Sequence, residues 1–209
     1  MNKNFIFLVM MVMALVFGLT VVGCDNDTTI KDTWSELKDF NKLNGTWKAN
    51  YSQNNRPIKD VAEEMGMPLD SSTQAMLGDM KVAINADITL TINTSARTQA
   101  MSIKATATFS DGNINSVWPM LSMYLSMYLD QLEAEGVKVT PNDKKHSVTV
   151  DYTMPPEEFT DEDIGEMLNS GLLINQNGTK IKVPAESLQS GMPGMPEMPE
   201  MPELIFYKQ

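Results

Sequence analysis

The chain has 209 residues and a formal net charge of −11, from 27 acidic against 16 basic residues. That balance argues against a basic patch for nucleic acid or anionic lipid. One cysteine and one histidine leave no disulfide and no thiolate metal site, and they close off most histidine-based catalysis.

The N-terminus reads MNKNFIFLVMMVMALVFGLTVVGC: one lysine, then an almost unbroken apolar run ending at Val21-Val22-Gly23-Cys24. Residues 1–23 are expected to be an export signal. A small residue before a lone cysteine resembles the bacterial lipobox. What that resemblance implies is cleavage before Cys24 and acylation of its thiol, often also of its new amino group. Cys24 is therefore the expected lipidation site, the membrane is the first expected partner, and the cell envelope is the expected location, on a periplasmic or surface-exposed face. Two or three acyl chains anchor far more firmly than one. The alternative is an uncut anchor, which usually needs ~20 apolar residues without such a stop.

Residues 24–42 read as a polar tether with one short helix in TWSELKDF, where Thr33 and Glu36 have capping-box spacing. A domain over 43–209 follows. LNGTWKANYSQN alternates as a strand with Gly45, Trp47, Ala49 and Tyr51 on one face. Residues 57–79 are expected to form a first helical insertion, broken at Gly66-Met67-Pro68 and restarted at an Asp70/Ser71/Ser72 cap. KVAINADITLTIN and AMSIKATATF then follow a period-two apolar/polar pattern, which predicts strands with one dry and one wet face.

Residues 116–135 predict a second helical insertion, with Ser116 as cap, Pro119 in the first turn and Gly136 as the stop. Its polar residues Ser122, Ser126, Asp130 and Glu133 form one narrow stripe. Such a helix needs cover: burial against the sheet is the preferred expectation, and a lid, a lipid-inserting element and a partner-binding helix are the alternatives. VKVT and HSVTVDYTM predict a hairpin closed by PNDKK, with His146 as a solvated loop residue.

A third helical insertion is expected at 157–170, where Asp161-Glu162-Asp163 suits the helix dipole better than a calcium loop. GLLINQNGTKIKV is a hairpin with an Asn177-Gly178 turn, and ELIFYKQ is the closing strand. Between them lies the loop 191–203, with Met192, Met195, Met198 and Met201 in a Met-Pro repeat. Proline at every third residue favours polyproline II, in which successive methionines stand roughly 9 Å apart. A semi-rigid spacer is the preferred role; an apolar ridge and a copper(I) site are the alternatives.

About eight antiparallel strands with inserted helices make the expected fold mainly β, a closed or nearly closed barrel. LNGTWK, two short helices before the second strand, and a short aromatic C-terminal strand resemble the calycin superfamily. They are similar to bacterial lipocalin-like lipoproteins and, in element order, to fatty-acid-binding proteins. The resemblance covers residues 43 to about 109 and the final hairpin. It implies a barrel holding one small hydrophobic ligand, Trp47 packed at its base, Lys208 set against that tryptophan, and Tyr207 as a further ligand contact. Ile205 stands where fatty-acid-binding proteins carry an arginine, a departure that weighs against carboxylate recognition there. No phosphate-binding, dinucleotide, zinc-protease or hydrolase motif is present. The expectation is a non-enzymatic envelope protein without cofactor or bound metal, and without nucleic acid as a partner. Its leading function is binding a small hydrophobic ligand, and its alternative is a structural or surface-interaction lipoprotein with no ligand cavity.

Overall fold

The computed structural model describes residues 32–60, 71–77, 80–95, 100–110, 114–133, 137–154, 164–165, 168–169, 171–184 and 204–209. Cys24, the export signal and the Met-Pro repeat lie outside them, as does most of the 157–170 segment. Among the described residues nine antiparallel strands make one sheet: β1 (Trp34–Glu36), β2 (Gly45–Pro57), β3 (Lys81–Asn93), β4 (Ala100–Ser110), β5 (Lys138–Asn142), β6 (Ser147–Met154), β7 (Leu173–Asn175), β8 (Lys180–Val183) and β9 (Leu204–Lys208). Helices among the described residues include α1 (Ser71–Leu77) and α2 (Ile114–Glu133).

The strand order is β1-β7-β8-β9-β2-β3-β4-β6-β5. The expected closed barrel is not formed among the described residues: the order ends on β1 at one side and β5 at the other. Both end strands are short, and β5 carries Pro141, features that limit pairing at an edge. The C-terminal strand β9 is interior, bonded to β8 on one side and β2 on the other.

Alternation on β3 from Ile84 onward, and on β4, sets which residues are buried, with Ala83 buried out of phase. Ile84, Ala86, Ile88 and Ile92 face inward with Met101, Ile103, Ala105, Ala107 and Phe109, while Asn85, Asp87 and Thr91 lie in water. Register aligns the dry side chains in rows, such as Ala49, Ile88, Ala105, Val150 and Val139 across five strands.

The ninth strand is β1, which the sequence predicts as a short helix. Long-range bonding outweighs the local capping signal there: β1 pairs with β7, Leu37 N donates to Leu172 O (2.8 Å), and Gln176 N donates to Thr33 O (3.1 Å). A 3-10 turn, Phe40–Leu43, follows, with Asn41 N donating to Asp39 Oδ1 (3.0 Å), and it buries Phe40 and Leu43.

Helix α2 begins two residues before the predicted start, which places Pro119 inside it rather than in its first turn. Ile114, Val117, Trp118 and Leu121, spaced for one helical face, are buried. Trp118 packs on Phe109 with ring centroids 5.9 Å apart. Its Nε1 donates to Asp143 Oδ1 of the β5–β6 turn (2.9 Å). No described helix is long and apolar enough to cross a membrane. His146, expected in solvent, is half-buried against Trp118 at 5.4 Å between centroids, with a left-handed φ of 46°.

Candidate functional site

Trp47 has no exposed surface and donates its indole N–H to Leu43 O at 2.7 Å. Directly opposite it on β9 stands Lys208, whose ammonium lies 5.2 Å from the indole centroid. Gly45 makes this arrangement possible. Its φ of +127° is one that residues with a side chain rarely adopt, and a Cβ there would sit 3.2 Å from Lys208 Cε. The expected approach of Lys208 to Trp47 is thus present in the geometry.

Tyr207 is one residue earlier on β9 and so points to the other face, 44% exposed. The two residues expected to share a ligand, Trp47 and Tyr207, are therefore not brought together. Phe206 and Leu204, on the dry side of β9, are buried instead.

A buried polar group on the dry face is not foreshadowed by the alternation of the sequence. Between Gln53 and Arg56, β2 advances three residues while β3 advances two, from Ile84 to Val82. This bulge, with Asn55 at φ 60°, turns Arg56 back to the side of Tyr51 and Gln53. Arg56 is 8% exposed. The Asn54-Asn55 pair, tolerant of left-handed backbone, is the signal of the bulge in the sequence.

The wet face carries cross-strand polar pairs. Thr106 and Thr149 hydroxyls meet at 3.0 Å, Ser52 donates to Asn85 Oδ1 at 2.7 Å, and Asn50 donates to Asp87. One row crosses seven strands in register. Lysines occupy every second strand, Lys180 on β8, Lys48 on β2, Lys104 on β4 and Lys138 on β5, with Tyr207, Thr89 and Asp151 between them. Lys104 and Asp151 are 3.7 Å apart, and the Lys180 ammonium lies 5.3 Å from the Tyr207 ring centroid. No single stretch of sequence holds this row, because register alone assembles it.

At the β1 edge, Lys180 also donates to Asp32 at 2.8 Å, and that hydrogen bond holds the Asp32 carboxyl below its ordinary range. Asn175, 4% exposed, locks the β7–β8 loop: its Oδ1 accepts from Thr179 N and Lys180 N, both at 2.9 Å. Gly178 takes a left-handed φ of 67° in that turn.

No family model, curated protein or solved structure matches the chain. The residues themselves carry the functional reading.

Proposed function

We propose that the protein is a lipid-anchored component of the bacterial cell envelope that acts by surface interaction rather than by catalysis. In this reading the sheet's dry face is its own core and its wet face is the working surface. One observation carries it: across the central strands Trp47, Ala49, Ile88, Ile103, Ala105, Ala107 and Val150 are each at most 4% exposed. Side chains this well covered leave little open apolar surface for a guest. Mass spectrometry of gently extracted protein is expected to find no stoichiometric lipid, and a co-purified lipid would overturn the reading. Anchorage is tested separately: Cys24→Ser should abolish palmitate labelling and leave the precursor uncut.

The second reading, carriage of a small hydrophobic molecule, is favoured by the bulge that turns Arg56 inward beside Tyr51 and Gln53. A guanidinium on a dry face is the type of group that holds the head of an amphiphile. A calycin-like relationship draws support from the Gly45–Trp47–Lys208 arrangement and from β9 lying beside β2. Its closed barrel lacks that support, since no pair joins β1 to β5.

A further inference from the structure

We infer that the sheet stands on the bilayer by the end at which Asp32 enters it, with Trp34 and the β7–β8 turn at the lipid head groups. The inference rests on acylation of Cys24, the anchorage proposed above. The point where the chain joins the sheet is fixed. Asp32 accepts from Lys180 Nζ (2.8 Å) and Asn175 Nδ2 (3.4 Å), Thr33 O accepts from Gln176 N (3.1 Å), and Trp34 pairs with Asn175. Seven residues, 25–31, separate Cys24 from Asp32. At the extended limit of ~3.6 Å per residue, the path from Cys24 to Asp32 covers less than about 29 Å in any conformation. Strand β3 alone, with 13 residues, is roughly 43 Å long. Acyl chains on Cys24 therefore keep the Asp32 end of the sheet near the bilayer.

Register identifies what shares that end. Lys180 pairs with Tyr207, Trp47 with Lys208 and Gly45 with Ile92, so residues 176–179, the start of β2 and the end of β3 lie together. The β5–β6 turn belongs to the opposite end, where Ser147 pairs with Thr108 and Ser110 with Ala83. The membrane-facing end suits lipid head groups. Gln176, Asn177, Gly178 and Thr179 carry no charge, and the nearby carboxylates Asp32 and Glu36 are paired with Lys180 and Lys38. Trp34 is half-buried on the edge strand, with Lys182 Nζ 4.9 Å from its ring centroid. An indole that is part apolar and part wet is the type of side chain that settles at a membrane interface. In this orientation the wet face of the sheet stays open to the surrounding compartment.

The test uses the full acylated chain in phosphatidylcholine vesicles. Cys24 is the only cysteine and its thiol is acylated, so Asn177→Cys, Asn85→Cys and Lys144→Cys each offer one site for a fluorophore. They sample the membrane-facing end, the middle of the wet face and the opposite end. Lipid carrying a nitroxide on its head group is expected to quench the probe at position 177 several-fold more than at 85 or 144. Brominated lipid should quench tryptophan fluorescence in the parent, and Trp34→Phe should remove that quenching with the thermal melt unchanged, because Trp47 and Trp118 are buried. Quenching at 85 equal to or above that at 177 would mean that the sheet lies on its wet face. That result, equal quenching at all three positions, or lipid quenching that survives Trp34→Phe would each overturn the inference. Absence of palmitate from Cys24 would overturn the anchorage reading and this inference with it, whereas labelled protein with any of those results overturns this inference alone.

Discussion

The same central strands present two unlike faces. On the dry side small and branched apolar groups interlock, with Ala105 and Trp47 completely covered. On the wet side the pairs are Thr–Thr, Ser–Asn, Asn–Asp and Lys–Asp, most of them in contact with solvent. Backbone, twist and hydrogen-bond ladder are common to both. What differs is parity: a slip of one residue would exchange the faces, so the alternation of β3 over 84–93 fixes the register. Stability is concentrated on one face, and the other is free to carry charge patterns that folding does not require.

Adjacent substitutions break this comparison most directly. Ile88, 1% exposed, sits between Ala49 and Ala105, so Ile88→Asp buries a carboxylate among apolar neighbours. The expected cost is several kcal/mol against a total stability of about 5–15 kcal/mol, and the domain should unfold. Thr89→Asp places the same carboxylate between Lys48 and Lys104 on the other face. Cross-strand pairs of opposite charge contribute roughly 0.2–1 kcal/mol, so this variant should melt close to the parent. Comparable unfolding by both variants in urea would refute the two-face description.

A smaller loss is expected at the start of β2, beside the Trp47–Lys208 contact. Gly45→Ala forces a side chain into φ +127° and against Lys208 Cε, at a cost of about 1–3 kcal/mol. Adding Lys208→Ala removes the contact but not the backbone strain. The double variant should therefore recover only part of the lost melting temperature, and full recovery would show that crowding alone requires the glycine.

Period-two patterning makes β3, β4 and the dry face legible in the sequence, and Asn177-Gly178 locates the β7–β8 turn. The edge strand β1 is not legible, because its pairing with β7 joins residues about 140 positions apart and overrides a local helix signal. Arg56 is hidden by a bulge that breaks the alternation at Asn54-Asn55. The partners of Trp118 are hidden likewise, since the sequence shows an apolar helix but not the turn carboxylate that its indole reaches. Of the expected site, Trp47 and Lys208 are brought together by β2–β9 pairing, whereas counting parity along β9 already separates Tyr207 from them.

Helix α2 sharpens the contrast between sheet and cover. Trp118→Phe keeps the ring against Phe109 but deletes the donor to Asp143, which should cost about 1 kcal/mol. Asp143→Ala removes the same bond from the turn side. If the bond is the shared element, the double variant loses less than the sum of the two single losses in chemical denaturation. Strictly additive losses would mean that the helix is held by its apolar face alone.

The smallest effect is expected at the β1 edge, where Asp32 joins Lys180 and Asn175. The Lys180 hydrogen bond lowers the Asp32 pKa from its ordinary 3.8. The sign follows from linkage: a depressed carboxyl contributes stability that is present above 3.8 and lost as pH falls through the lower folded value. Both side chains keep contact with solvent at the sheet edge, and screening there keeps the contribution small, so the global melt should hardly register it. A local probe should. Asn175 Nδ2 donates to Asp32 Oδ1 at 3.4 Å, and its side-chain amide resonance is expected to titrate with a midpoint below 3.8. Lys180→Gln should move that midpoint up toward the ordinary value, and Asp32→Asn should erase the titration. A midpoint at or above 3.8 in the parent would mean that the ion pair does not hold the edge strand, leaving the backbone bonds of Leu37 and Gln176 to do so.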